Sequence, residues 1–207
     1  VHLSAAEFLV AGLPAVSSAT LAAAPRLRAV LKHGVGLDTI DIAACTSRRL
    51  PVTNTPGANA VAVAELALAH VFALSRNIVP LHGSVITGGW DRRIGNEIQG
   101  ATLGIVGFGA IGRTLAAKAL ALGMNVIASD PFADADLAAT MGVRLLPLPQ
   151  LLSLSDHVSL HVFGGPATAG LIGAAELALM KPGATILNLS RGEVLDMDAL
   201  KDALASG

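Results

Sequence analysis

From Thr102 onward, apolar runs of strand type alternate with stretches of helical spacing. The runs are TLGIVG, NVIASD, VRLL, HVSLHV and TILNL. They are rich in Val, Ile and Leu and little interrupted by polar residues, as strands buried on both faces read. Between them, residues 110–122, 134–141 and 148–154 and a short stretch at 176–180 predict helices. Residues 197–205 predict one more after TILNL. This alternation implies right-handed crossovers and a parallel sheet covered on both faces.

The first half is less regular. RAVLK reads as a short strand that ends in the glycine turn HGVGLD. Asp41 can cap a helix running to about Arg48, and PVTN is another short strand closed by the turn signal TPG. A long helix over 59–77 and a second over 80–87 follow, and GGW ends the second. The longest apolar segment, 58–74, is interrupted by Asn59, Glu65 and His70 and is rich in Ala. It predicts a buried helix, not a membrane span. The boundary between the irregular and the regular part falls near Gly100.

Composition narrows the function classes. Hydrophobic residues are 53% and charged residues 14%, enough for a sizeable core, which disfavours disorder. Net charge is −1, with no basic stripe, and only 3% of residues are aromatic. Nucleic-acid binding through phosphate neutralisation and base stacking is therefore disfavoured. The single Cys45 excludes an internal disulfide framework and a cysteine metal site. It is expected as a buried small hydrophobe and suits a reducing, cytoplasmic setting. No histidines or acids stand at a metal-ligand spacing. The first residue is Val1, and no signal-peptide pattern follows it.

Chemistry enters at GIVGFGAIG, where Gly107, Gly109 and Gly112 have the spacing of a dinucleotide-binding turn. A strand precedes it, a helix follows, and Asp130 ends the next strand, which is the context this motif requires. Gly107 allows the tight turn, Gly109 lets backbone approach a pyrophosphate, and Gly112 lets helix and strand pack closely. The helix N-terminus offers free N–H groups to phosphate. Asp130 is set to accept from an adenosine ribose, and its charge repels a 2′-phosphate, favouring NAD over NADP. The other reading is a plain tight turn with Asp130 as a helix cap.

The segments HGVGLDTIDI, TNTPGANAVAVAE, LGIVGFGAIGRTLA, LGMNVIASDP, DHVSLHV, LMKPGATILNLSRGEVLD and ALKDALASG occur in this order. Together they resemble the D-isomer-specific 2-hydroxyacid dehydrogenases. The resemblance implies an α/β fold: a Rossmann-type doubly wound parallel sheet plus part of a flavodoxin-like substrate lobe. By it, residues 1–58 belong to the substrate-binding lobe, 59–99 are linking and dimerisation helices, and 100–207 bind NAD. Ala110 and Ile111 match positions against the pyrophosphate, and Val162, Phe163 and Thr168 the loop along the cofactor. Leu189, Ser190 and Arg191 match the loop nearest the nicotinamide, and Val35 and Gly36 the site of the substrate carboxylate. Phe163 stands where the family usually has proline, which leaves binding intact and alters the loop's shape.

Arg191 follows a strand end, where ligands of open parallel sheets bind. Its planar charged fork suits a carboxylate and a neighbouring carbonyl. On the resemblance, Arg191 orients a 2-oxo acid for hydride transfer at C2. The other reading is an arginine salt-bridged to Glu193 or Asp196. The family's proton donor, a histidine paired with a glutamate, lies downstream of SRG on segments after Gly207. The resemblance also places the family's first strand and helix before this chain. The chain alone is therefore expected to be nearly inactive, as a fragment of a longer source protein. His161 reads as a structural hydrogen-bonder, His33 as a neighbour of the substrate loop, and His70 as packed inside the linking helix. Glu65 reads as a cap or bridge at the lobe interface, and His2, His82 and His157 carry no signal. The expected activity is that of an NAD-dependent oxidoreductase acting on a small 2-oxo or 2-hydroxy acid, in a homodimer formed through helices 59–99. An NAD(H)-sensing binding protein like the family's corepressors, or an inactive cofactor-binding remnant, are the alternatives.

Overall fold

The computed structural model describes residues 3–206, so His2 and the last position of the expected cofactor domain, Gly207, lie outside the described residues. The chain divides into two compact units, with the boundary between Asn59 and Ala60.

The first unit is a three-stranded parallel sheet of β1 (Phe8–Ala11), β2 (Ala29–Lys32) and β3 (Val52–Thr53), in the order β1-β2-β3. Helices α1 (Ser18–Ala22) and α2 (Ile42–Ser47) connect the strands. The hydrophobic pattern assigns no element before Arg28, yet β1 and α1 form there. FLVA is short and cut off by Gly12 and Pro14, so its pattern is weak. The helix is only one turn, capped by Ser17, whose hydroxyl accepts from Thr20 N–H at 3.3 Å. Asp41 caps α2 as expected, accepting from Ala44 N–H at 2.8 Å. The guanidinium of Arg48 donates to the carbonyls of Leu21 and Ala24 and so finishes α1. Cys45 is buried in this core, and burial, with Asp41 beside it, raises its thiol pKa.

The second unit opens with α3 (Ala60–Ser75) and α4 (Ile78–Ile86). The second helix begins earlier than its sequence pattern suggests. Pro80 sits in the first turn, where N–H groups have no helical partner, so proline costs little there. Then comes a five-stranded parallel sheet in the order β6-β5-β4-β7-β8. Its strands are β4 (Thr102–Val106), β5 (Asn125–Ser129), β6 (Arg144–Leu145), β7 (His157–Leu160) and β8 (Thr185–Asn188). The crossovers carry α5 (Ala110–Ala121), α6 (Ala135–Thr140), α7 (Leu148–Leu154) and α8 (Ala174–Leu177), and α9 (Met197–Ser206) follows β8.

Both faces of this sheet are buried. Leu103, Ile105, Val126 and Ala128 pack with α3 and α5, while Val106, Ile127, Val158 and Leu160 pack with α7. Alternate residues of each strand thus feed separate cores, which explains the unbroken apolar runs. Small residues let the layers approach closely. Ala64 and Ala67 of α3 meet Ala116 and Ala119 of α5, all fully buried. A Cβ added at Gly104 would collide with Ser155 Oγ and come within 2.6 Å of Leu151 Cδ2. Among the described residues, no single helix is long and apolar enough to cross a membrane.

Polar stitches close the end of the sheet where the strands begin. Asp156 Oδ2 accepts from Thr102 N–H at 2.7 Å and Oδ1 from Lys181 Nζ at 2.8 Å. Burial raises the Asp156 pKa, but these two donors outweigh it and hold the carboxyl below its usual range. Next to it, buried His157 bridges β7, β8 and α3. Its Nδ1 is 2.8 Å from Thr185 Oγ1 and its Nε2 is 3.4 Å from Ser75 Oγ. Burial lowers the His157 pKa below 6.5, against a weaker opposing pull from Asp156.

A base whose folded-state pKa is depressed stabilises the fold fully above its unfolded value. That contribution is lost as pH falls below about 6.5. The melting temperature of the parent should therefore drop more between pH 7 and pH 5 than that of His157→Gln. Parallel slopes in a pH series of thermal melts would remove His157 from the acid sensitivity.

Candidate functional site

After β4 the chain winds to one side of the sheet for β5 and β6, then returns to the other side for β7 and β8. The crevice beyond the carboxyl ends of β4 and β7 is therefore the topological switch point, where open parallel sheets bind ligands. Four segments lead from strand ends into this region.

The first is the glycine turn. Gly107 has φ +96, and a Cβ there would stand 2.7 Å from His161 O and 3.0 Å from Val162 N. Only glycine lets this backbone touch the backbone leaving β7. Its N–H donates to Ser129 O at 2.9 Å, which ties the turn to β5 as well. Phe108 is buried in the core shared with α3 and α5 and anchors the turn from below. A Cβ on Gly112 would collide with the Gly107 carbonyl and lie 3.2 Å from Ile105 Cγ2, so α5 rests directly on β4. Gly109 is different: a Cβ on it would meet nothing within 4 Å. It is the N-cap of α5, without a capping side chain, and Ala110 and Ile111 start the helix. The first-turn N–H groups and their partial positive charge open onto this free space. The turn thus fits the pyrophosphate of a dinucleotide.

The second segment leaves β5 at Asp130. Asp130 Oδ2 accepts from Phe108 N–H at 2.8 Å and Oδ1 from Phe132 N–H at 2.8 Å. The cap of α6 is Asp134, which accepts from Asp136 and Leu137 N–H at 3.0 Å. Asp130 is therefore not the helix cap. It is a carboxylate locked beside the glycine turn, with lone pairs remaining for further donors.

The third segment follows β7. His161 N–H donates to Val106 O at 2.7 Å, and Val162 passes beside Gly107. Phe163 has an exposed ring, and its carbonyl accepts from Thr168 Oγ1 at 2.6 Å. The His161 ring lies 2.8 Å from Ser159 Oγ, as expected of a structural hydrogen-bonder. Burial pushes its pKa down to about 4, so it is neutral at pH 7. Its Nδ1 and the hydroxyl of Ser190 are buried without a hydrogen-bond partner among the described residues. Two unsatisfied polar atoms in loops at these strand ends are consistent with a polar ligand or water there.

The fourth segment follows β8 and holds Leu189, Ser190 and Arg191. Asn188 folds it into a turn, donating from Nδ2 to Arg191 O at 2.7 Å and accepting from Ser190 N–H at 3.0 Å. Arg191 Nη1 donates to Ser190 O at 3.0 Å, and its stem lies over Gly164. Glu193, weighed from sequence only as a salt-bridge partner of Arg191, has a role the pattern did not reveal. Its Oε1 accepts from Gly165 N–H at 2.8 Å and so ties the third segment to the fourth. The paired glycines at 164–165 are the one sequence signal of that contact.

Val35 and Gly36 belong to the other unit, in the loop after β2. The Val35 carbonyl accepts from Asn54 Nδ2 at 2.8 Å, and the Gly34 carbonyl from Thr55 N–H at 3.0 Å. His33 beside them is exposed.

Two lesser readings can be compared. Glu65, expected as a cap or bridge, has its Oε1 2.9 Å from Lys118 Nζ, joining α3 to α5 inside the second unit. The pair is partly exposed to solvent and adds little stability. His70 is exposed rather than packed, because the buried stripe of α3 runs through Ala60, Ala64, Ala67, Leu68, Val71 and Ser75. Among the described residues no cluster of metal-ligating groups occurs.

Residues 68–207 match the family described as D-isomer specific 2-hydroxyacid dehydrogenase, NAD binding domain. The chain is 43% identical over 201 residues to D-3-phosphoglycerate dehydrogenase of Mycobacterium leprae, covering 96% of this chain and 38% of that protein. It is 46% identical over 187 residues to (S)-sulfolactate dehydrogenase of Chromohalobacter salexigens, covering 89% and 60%. D-lactate dehydrogenase from Aquifex aeolicus, solved in complex with NAD and lactic acid, superposes with a TM-score of 0.90. That match is 31% identical and covers 99% of this chain and 62% of the other. The chain thus spans less than two thirds of the length of each of these relatives. The glycine turn, the locked Asp130 and the strand order agree with the match along 68–207: the chain belongs to the D-isomer specific 2-hydroxyacid dehydrogenase family and carries its NAD-binding domain.

Proposed function

We propose that these residues act in an NAD-dependent oxidoreductase that transfers hydride between nicotinamide and C2 of a D-2-hydroxy acid or its 2-oxo acid. The observation that carries this reading is the convergence of an open glycine turn, a fixed carboxylate and an arginine turn at the switch point of one parallel sheet. On this reading residues 1–58 are part of a flavodoxin-like substrate lobe. Residues 59–99 link the lobes, and 100–207 bind the cofactor.

Bound NAD(H) supplies the hydride. Gly109, Ala110 and Ile111 hold the pyrophosphate through backbone N–H groups and the α5 terminus, while Gly107 shapes the turn. Asp130 accepts from ribose hydroxyls, and its charge disfavours a 2′-phosphate. Val162, Phe163, Thr168, Leu189 and Ser190 line the cofactor's path. Arg191 holds the carboxylate of the 2-oxo acid and draws charge toward the C2 oxygen. By the family resemblance, Val35 and Gly36 N–H groups are assigned to a substrate carboxylate. The C2 oxygen also needs a proton. On the family resemblance it comes from a histidine–glutamate pair. His161 does not serve, since it stays neutral and bonded to Ser159.

A homodimer in the cytoplasm through 59–99 completes the reading. Val79, Val85, Ile86, Trp90 and Ile94 are all exposed there, Ile94 completely. An apolar group of this kind favours association. Trp90→Glu is expected to shift a dimeric parent toward monomer in sedimentation velocity, and a parent that is itself monomeric would refute the dimer.

A fluorescence titration with NADH and NADPH tests the cofactor site. Gly109→Val should abolish measurable NADH binding by filling the open space, and Asp130→Arg should narrow the preference for NADH at least roughly ten-fold. Binding by Gly109→Val equal to the parent's would undo the turn's assignment. In the source protein, Arg191→Ala should lower 2-oxo-acid turnover by roughly 10²–10³ while leaving NADH affinity nearly unchanged. Turnover at the parent's level would leave Arg191 outside the chemistry.

A further inference from the structure

Glu193 spans the loop that follows β7. Its backbone carbonyl accepts from Gly170 N–H at 2.7 Å, and its Oε1 accepts from Gly165 N–H at 2.8 Å. The loop closes on itself between these points. Thr168 N–H donates to Gly165 O at 3.0 Å, and Thr168 Oγ1 donates to Phe163 O at 2.6 Å. Beyond it, Ile172 N–H donates to Val194 O at 3.0 Å, so the two segments run on as a short parallel bridge. One residue of the Arg191 turn therefore holds both ends of the loop.

The two glycines of the loop have separate reasons to be glycine. Gly165 has φ +138, a conformation that side chains disfavour. At Gly164 the reason is space: a Cβ would stand 2.6 Å from Arg191 Cγ and 2.9 Å from Glu193 Oε1. The stem of the arginine and the carboxylate of the glutamate together occupy the volume a side chain would need. Where Arg191 sits is thus fixed partly by what Gly164 lacks, and where Gly164 sits is fixed through its neighbour by Glu193.

We propose that Glu193 is a positioning residue that locks the 163–168 loop to the Arg191 turn, seating the arginine stem on Gly164. The cofactor loop and the substrate arginine then move as one body. This rests on the dehydrogenase reading above and deepens it. The bond is a charge-assisted one to a backbone N–H. A neutral amide oxygen can accept in the same place, whereas an alanine cannot. Displacing a substrate-orienting group by about 1 Å can cost roughly a hundred-fold in rate.

The test measures NADH affinity by fluorescence, and kcat and KM for glyoxylate and hydroxypyruvate, in the source protein and its Glu193→Ala, Glu193→Gln, Gly164→Ala and Arg191→Ala variants. Glu193→Ala is expected to lower kcat by roughly ten- to a hundred-fold, with Glu193→Gln recovering most of the loss. Gly164→Ala, which keeps the glutamate but displaces the arginine stem, should lower kcat with NADH affinity retained. Melting curves separate these effects from unfolding. If Glu193→Ala melts near ambient temperature, Gly164→Ala and Glu193→Gln decide alone. Parent-level kcat in Glu193→Ala or in a folded Gly164→Ala, beside a disabled Arg191→Ala, overturns the positioning role and leaves the dehydrogenase reading intact. A Glu193→Gln variant as slow as Glu193→Ala also overturns it, since the acceptor would then not be what matters. Parent-level turnover in Arg191→Ala overturns the dehydrogenase reading itself, and with it the arginine that Glu193 was to position.

Discussion

The site depends on one close approach of backbone to backbone, at Gly107. The turn after β4 lies against the carbonyl of His161 and the amide of Val162, a distance no side chain at 107 would allow. That contact sets the loop after β7 against the loop after β4. It also aims α5 outward, since Gly112 repeats the same economy of space one turn later. The carboxylate of Asp130 then fastens the turn from the other side by taking the N–H of Phe108. The arrangement is organised by main-chain contacts and small residues, and long side chains enter only at its margins. Preorganised donors of this sort need no rearrangement when a ligand arrives, which is where fixed backbone N–H groups gain over flexible side chains.

Much of this was legible from residues alone. The apolar runs after Thr102 correspond to five strands because each strand is covered twice, so burial leaves a continuous mark on the sequence. The glycines could be assigned distinct roles from their spacing: Gly107 and Gly112 each relieve a steric conflict, while Gly109 leaves open space at the start of α5. Asp134, rather than Asp130, proved to be the helix cap. Two acids four residues apart cannot be ranked by pattern when both precede a helix.

What stayed hidden was mostly tertiary. The strand at Phe8–Ala11 is too short for its period to stand out, and the single turn at Ser18–Ala22 is defined by a cap rather than by a repeat. His70 was misjudged because an Ala-rich helix offers little contrast between its faces. Glu65 was given no partner, because Lys118, on the helix that packs beside it, is far away in sequence. Glu193 shows the limit most clearly. Its carboxylate meets a backbone N–H far away in sequence, and a backbone donor carries no residue-type signature.

The stitches at the opposite end of the sheet have a consequence for how this protein can change. Asp156, Thr102, Lys181, His157 and Ser75 secure the strands where they begin, while the glycine turn, Asp130 and Arg191 work where the strands finish. Durability and ligand contact are thereby lodged at opposite rims of one scaffold. Substitutions that toughen the starting rim can accumulate without altering the finishing rim, and loops at the finishing rim can be rewritten for another ligand without unfastening the sheet.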